Sequence, residues 1–123
     1  MPRFEQLRHR PPSPLAEPRE LVLACAPLRS RVNLSRIVRV SGSMGVTRIH
    51  VTDSLRLDRK IAREAADHVT IARHGSLAPL LKRLRSDGYR LAGLEQSVGS
   101  ESLFEHRFAS KTALVVGNER RGL

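Results

Sequence analysis

The chain has 123 residues, enough for one domain with a real core but not for two. Hydrophobic residues make up 40% of it, which points to a folded domain rather than disorder, and no apolar run approaches the roughly 20 residues of a membrane span. Lysine and arginine total 22 against 12 acidic residues, and the resulting charge of +10 favours a polyanionic partner, since each neutralised phosphate releases condensed counterions.

Residues 1–18 hold Pro2, Pro11, Pro12, Pro14 and Pro18 without an apolar period, so a flexible basic lead-in is expected before a domain over residues 19–123. It has no apolar core of a secretory signal, and the chain reads as a soluble cytoplasmic protein. Leu21 to Ala26 is a short apolar run ended by Pro27, the pattern of a strand buried on both faces. Within it the lone Cys25 cannot form an internal disulfide and reads as a small core residue. Asn33 is a candidate N-cap for a helix with Leu34, Ile37, Val38 and Ser41 at helical spacing and Gly42 as its stop. Val46 to Val51 reads as a second strand, and Asp58 caps a small-residue helix through Ile61, Ala62, Ala65 and Ala66. Val69 to Ala72 is a third strand. Ser76 then opens a helix that turns Leu77, Leu80, Leu81 and Leu84 inward and stops at Gly88. Tyr89 to Leu94 is a fourth strand, followed by a polar loop and a helical turn at Leu103 and Phe104. The fifth strand, Ala113 to Val116, is apolar throughout and expects cover on both faces.

Strands alternating with helices mean an α/β fold with a mainly parallel sheet and flanking helices. Ligands of such sheets bind beyond the carboxyl ends of the strands, so the loop after the fourth strand and the Gly-Asn-Glu turn after the fifth are the segments of interest. There is no phosphate-cradling glycine loop and no Gly-x-Gly-x-x-Gly turn. The five histidines lack metal-ligand spacing, so no metal site is expected, and no nucleophile elbow surrounds any serine. Two segments remain, Asn33 to Val46 and Leu114 to Leu123. Each has a plain structural reading: Asn33 as a cap, Arg39 as a solvated helix charge, Gly117 as a turn, Glu119 as a carboxylate at a helix start. Between Glu20 and Asp53 there is no acidic residue, while Arg29, Arg31, Arg36, Arg39 and Arg48 all fall there. An arginine-rich composition alone raises the charge as well, but a cluster without counter-charges is the better sign of a phosphate surface.

Asn33, Arg39 six residues later and Gly45-Val46, followed much later by an apolar strand running into Gly117-Asn118-Glu119 and Gly122-Leu123, resemble the SpoU/TrmH branch of the SPOUT methyltransferases. Gly88 to Glu95 also looks like that family's fourth strand and following loop. The resemblance spans about residues 20 to 123. It implies S-adenosylmethionine as cofactor and methyl transfer to a ribose 2′-hydroxyl of tRNA or rRNA. By the same resemblance Arg39, Asn33 and Glu119 would be catalytic, with Arg39 at the hydroxyl and its neighbouring phosphate. Leu94, Glu95, Gly117 and Asn118 would border the cofactor, and Arg29, Arg31 and Arg36 would face structured RNA. Arg36, Arg120 and Arg121 depart from the family pattern by adding charge. The family's third motif, which threads a trefoil knot and completes the cofactor pocket and the homodimer face, does not follow Leu123, so a SPOUT-like domain without its knot segment is expected. A non-catalytic RNA-binding remnant of such an enzyme is the alternative reading, and an unrelated parallel α/β module a third.

Overall fold

The computed structural model describes residues 20–123, so the expected lead-in lies outside the described residues. Five strands are present: β1 (Glu20–Cys25), β2 (Arg48–Val51), β3 (Thr70–Arg73), β4 (Arg90–Leu94) and β5 (Lys111–Val116). The helices are α1 (Arg31–Ser43), α2 (Arg59–Ala62), α3 (Ala65–His68) and α4 (Leu77–Ser86). The sheet order is β3-β2-β1-β5-β4, and every pairing is parallel. Strands β1, β2 and β3 step outward to one edge. The segment carrying α4 then crosses to the other edge, and β5 returns between β4 and β1. Among the described residues no helix is long and apolar enough to cross a membrane.

β1 is central because all its side chains from Val22 onward find apolar neighbours. Val22 and Ala24 pack with Ala113, Val115, Leu80 and Leu84 under α4, whereas Leu23 and Cys25 pack with Leu34, Val38, Ile49 and Val51 under α1. That division is the two-residue period of a strand buried on both faces. The expectation for β5 needs correction. Ala113 and Val115 are buried on the α4 side, but Leu114 and Val116 on the other are only partly buried, since α1, α2 and α3 lie over β1 and β2.

The ends of α1 also differ from expectation. Its N-cap is Ser30, whose hydroxyl accepts a bond from the Asn33 backbone N–H. Asn33 is therefore inside the first turn with its side chain free for other work. At the other end the stop is Gly45, not Gly42. Gly45 has φ +81°, its N–H reaches the Gly42 carbonyl, and the Val46 N–H reaches that of Ser41, a Schellman closure. Val46 is consumed by that closure, so β2 starts at Arg48.

Gly42 serves a different purpose. A Cβ there would lie 2.7 Å from the Cβ of Ala65 on α3, so its absence lets the two helices approach. Gly42→Val places three carbons in that contact without the helix-propensity gain of alanine. It is expected to cost about 2–3 kcal/mol by overpacking, read as a lower thermal midpoint; an unchanged midpoint would show that α3 shifts freely. The helix expected from Asp58 through Ala66 is in fact two short ones, because Arg63 takes φ 53° between them.

His50, buried on the α4 face of β2, has its Nδ1 2.8 Å from Nε2 of His74. Burial, and then the charges of His74 and nearby arginines, hold His50 below its ordinary pKa, so it is neutral there. The bond gives the buried His50 Nδ1 a partner from the part-exposed His74.

Candidate functional site between the first and fifth strands

Chain direction across the sheet reverses between β1 and β5, and the crevice beyond their carboxyl ends is the switch point where ligands of such sheets bind. Two turns meet there. Pro27 ends β1 and begins the loop to Ser30, and Gly117 ends β5 and begins the turn to Gly122. Asn118 ties them: its Nδ2 donates to the Pro27 carbonyl at 2.7 Å, and its Oδ1 accepts from the backbone N–H groups of Arg120 and Arg121. The turn closes on itself through paired backbone bonds between Asn118 and Gly122. So tight is the closure that a Cβ on Gly117 would lie 2.5 Å from the Gly122 carbonyl carbon. Gly122 needs its own freedom, with φ +65°.

Glu119 makes the second tie. One carboxylate oxygen accepts from the Arg29 N–H at 2.9 Å; the other accepts from the Ser30 N–H at 2.9 Å and from Asn33 Nδ2 at 3.0 Å. The Arg29 amide bond is the chief reason its pKa falls to about 2, with Asn33 and Ser30 adding to it. The charge is thus fixed over the start of α1, where unpaired N–H groups favour an anion. Asn33 and Glu119, 86 residues apart, form one unit.

Beyond β4 lies a cleft of about 500 Å³ lined by Leu94, Glu95, Gln96, Ser97, Ser100, Glu101 and Ser102. Glu95 links it to the β5 turn: its Oε2 accepts the Leu123 N–H at 3.0 Å, and its carboxylate stands where a Gly122 side chain would be. A second cleft, about 510 Å³, is lined by Ala26, Pro27, Arg29, Asn118, Arg120, Arg121 and Gly122. The four residues expected at the cofactor are therefore distributed. Leu94 and Glu95 line the first cleft, Asn118 the second, and Gly117 holds the turn between.

Arg39 is not brought to Asn33 or Glu119 within the chain. Six helical residues separate it from Asn33 by roughly 120° around α1 and about 9 Å along it. Arg36 lies between them on the exposed face. Arg31 donates to the Leu57 carbonyl at 3.1 Å, which ties its guanidinium to the chain. Sequence reasoning passed over Ser30, and also Asp53, whose carboxylate accepts from the Leu28 and Leu55 N–H groups and braces the Pro27 loop. The position of Asp53 just past the carboxyl end of a parallel strand was the available signal. Cys25 is a core residue, its thiol pushed up to about 12 by burial and then by Asp53.

The profile of the SpoU rRNA methylase family matches residues 20–123. TARBP1 of Mus musculus, a tRNA (guanosine(18)-2′-O)-methyltransferase, is 37% identical over 51 residues, which is 42% of this chain and 3% of the mouse protein. The TrmH/SpoU tRNA modifying enzyme of A. aeolicus superposes with a TM-score of 0.77 at 22% identity, covering 85% of this chain and 55% of that one. An AdoMet-bound rRNA methyltransferase from Sinorhizobium meliloti gives 0.66 at 22% identity, covering 91% and 46%. The chain spans about half the length of those solved structures and a small part of the mouse enzyme. At that identity the superpositions show the fold. The profile runs from the first residue of β1 through both site turns, and the chain belongs to the SpoU rRNA methylase family.

Proposed function

We propose that this chain forms the catalytic domain of an enzyme that transfers a methyl group from S-adenosylmethionine to a ribose 2′-hydroxyl of tRNA or rRNA, in the cytoplasm. The observation that carries the reading is the Asn33–Glu119 unit, which joins the two family motifs at the switch point of the sheet. The 2′-O specificity of the mouse relative supports the ribose as acceptor.

The donor set of the cleft beyond β4 suits the cofactor. Leu94 offers an apolar wall, Glu95 and Glu101 offer negative charge to a sulfonium and an ammonium, and three serines offer hydroxyls. Its size falls in the range of about 300–1,000 Å³ usual for small-molecule sites. When bound, S-adenosylmethionine supplies an electrophilic methyl group on a good leaving group. The chain's own task is the acceptor. A ribose hydroxyl is a poor nucleophile until it sheds its proton. Arg39 engages that hydroxyl and the neighbouring phosphate; guanidinium is a poor base, so the proton passes to water while Arg39 stabilises the oxyanion that attacks the methyl group. Asn33, fixed by Glu119, orients the ribose, while Arg29, Arg31 and Arg36 face the RNA backbone. Gly117 and Asn118 shape the turn that borders the cofactor. Val40 on α1 and Met44 at its C-cap, four residues apart, are 62% and 61% exposed, an apolar strip suited to a homodimer.

The test is methyl transfer from labelled S-adenosylmethionine to RNA, followed by alkaline hydrolysis. A phosphodiester beside a 2′-O-methyl group resists alkali because the attacking hydroxyl is gone. Arg39→Ala is expected to abolish turnover at an unchanged thermal midpoint. Near-normal turnover in that variant would remove Arg39 from its role, and labelled RNA without alkali-resistant bonds would mean that a base is the acceptor. RNA binding without cofactor binding would favour the non-catalytic reading.

A further inference from the structure

We propose that Arg29, Arg120 and Arg121 form a clamp for a single phosphodiester of the RNA backbone, in the cleft between the β1 loop and the β5 turn. The inference rests on the reading of this site as one that takes RNA.

All three arginines line one cleft, whose remaining walls are Ala26, Pro27, Asn118 and Gly122. Their mounts are fixed relative to one another. Asn118 holds the backbone N–H groups of Arg120 and Arg121 and reaches across to Pro27, while Glu119 holds that of Arg29. Three flexible side chains thus start from one braced frame, which reduces the ordering cost of converging on a ligand. Glu119 is the one carboxylate in these two turns, and its oxygens are turned to the Arg29 and Ser30 N–H groups and to Asn33. Among the described residues it accepts no bond from the three guanidinium groups. Planar guanidinium forks match phosphate oxygens in geometry as well as charge.

The neighbouring cleft has the opposite character, with Glu95 and Glu101 in its wall. Gly122 stands between the two, lining the basic cleft and abutting Glu95. Charge is therefore segregated across a single residue: an acidic side for a cationic ligand and a basic side for a phosphate. An acceptor strand held by one phosphate in the basic cleft lies beside the other ligand rather than on top of it.

The experiment measures the affinity of the full chain for a labelled RNA hairpin by fluorescence anisotropy over a range of salt. The slope of log K against log salt counts the phosphates neutralised. The triple variant R29A/R120A/R121A is expected to flatten the slope by about one, the signature of one phosphate shared by three arginines. Flattening by about three would mean three independent contacts and would overturn the clamp. So would an equal change in the control K82A/R85A, whose residues are exposed on α4, since net charge would then account for the binding. A wild-type slope in the triple variant would overturn the clamp and leave RNA binding by the chain intact. A wild-type chain with no RNA affinity would overturn both.

Discussion

Replacing Glu119 with alanine is expected to lower stability at neutral pH and to abolish methyl transfer. The substitution removes the acceptor for the Arg29 and Ser30 amides and for Asn33 Nδ2. Charge-assisted bonds contribute about 1.5–3 kcal/mol each when well shielded, but Glu119 is exposed and water replaces part of the loss, so about 2 kcal/mol in total is the expected cost. The sign with pH follows from the direction of the shift. The folded-state pKa lies at about 2, below the ordinary 4.5, so the stabilisation is present above pH 4.5 and is lost as pH falls toward 2. Thermal melting of both proteins across that window should show the wild type losing an increment that Glu119→Ala lacks. Parallel stability curves would mean that the Glu119 tie contributes nothing. In the proposed reaction the loss of turnover has a separate origin: Asn33, released from its partner, would no longer hold one orientation toward the acceptor.

Gly117→Ala should be the more damaging change in the backbone itself. The added carbon would meet three backbone atoms of Gly122, at 2.5, 2.8 and 2.9 Å. No side chain can swing aside to relieve it, so the turn must open and give up the paired bonds between Asn118 and Gly122. Overpacking of this kind costs about 1–3 kcal/mol, and more where the main chain has to move. Opening the turn also displaces Asn118 and Glu119, so the Arg29 and Ser30 amides should exchange with solvent faster than in the wild type. Amide exchange followed by mass spectrometry or NMR reads this directly. Unchanged protection at both amides would show that the turn absorbs a methyl group.

The strands were legible because each is an apolar or alternating β-branched segment bounded by turn residues, and the run before Pro27 announced its own burial on both faces. The site was legible as two separated motifs. Their junction was not: Ser30 and Asn33 are both good cap residues three positions apart, and nothing local says which is used. What decides it is a carboxylate 86 residues away from Asn33. Gly42 and Gly45 pose the same difficulty, since either could stop a helix, and the choice depends on Ala65 needing the space at Gly42. The break at Arg63 had no glycine or proline to mark it. The partial exposure of Leu114 and Val116 depends on where the helices lie, and a strand's composition does not carry that information. Arg39, six residues from Asn33 in sequence, shares its helix but not its face, a distinction of angle that spacing alone hides.

The central strand of the sheet pairs on one side with β2 and on the other with β5. The first partner follows shortly behind β1 in the chain; the second arrives some 90 residues later, as the Arg29–Glu119 bond also must. Closing a loop of that length carries an entropy cost that local contacts do not repay, and such pairings come late in folding. During synthesis β1 and β2 can meet early, while the far edge of β1 waits for the ribosome to release β5. Glu119 comes after that strand, so the Asn33 unit forms only once β5 is in place. Until β5 pairs, one edge of β1 has no partner and the Pro27 loop has no Glu119 to hold it, so the order of the crevice is tied to the slowest contact of the sheet.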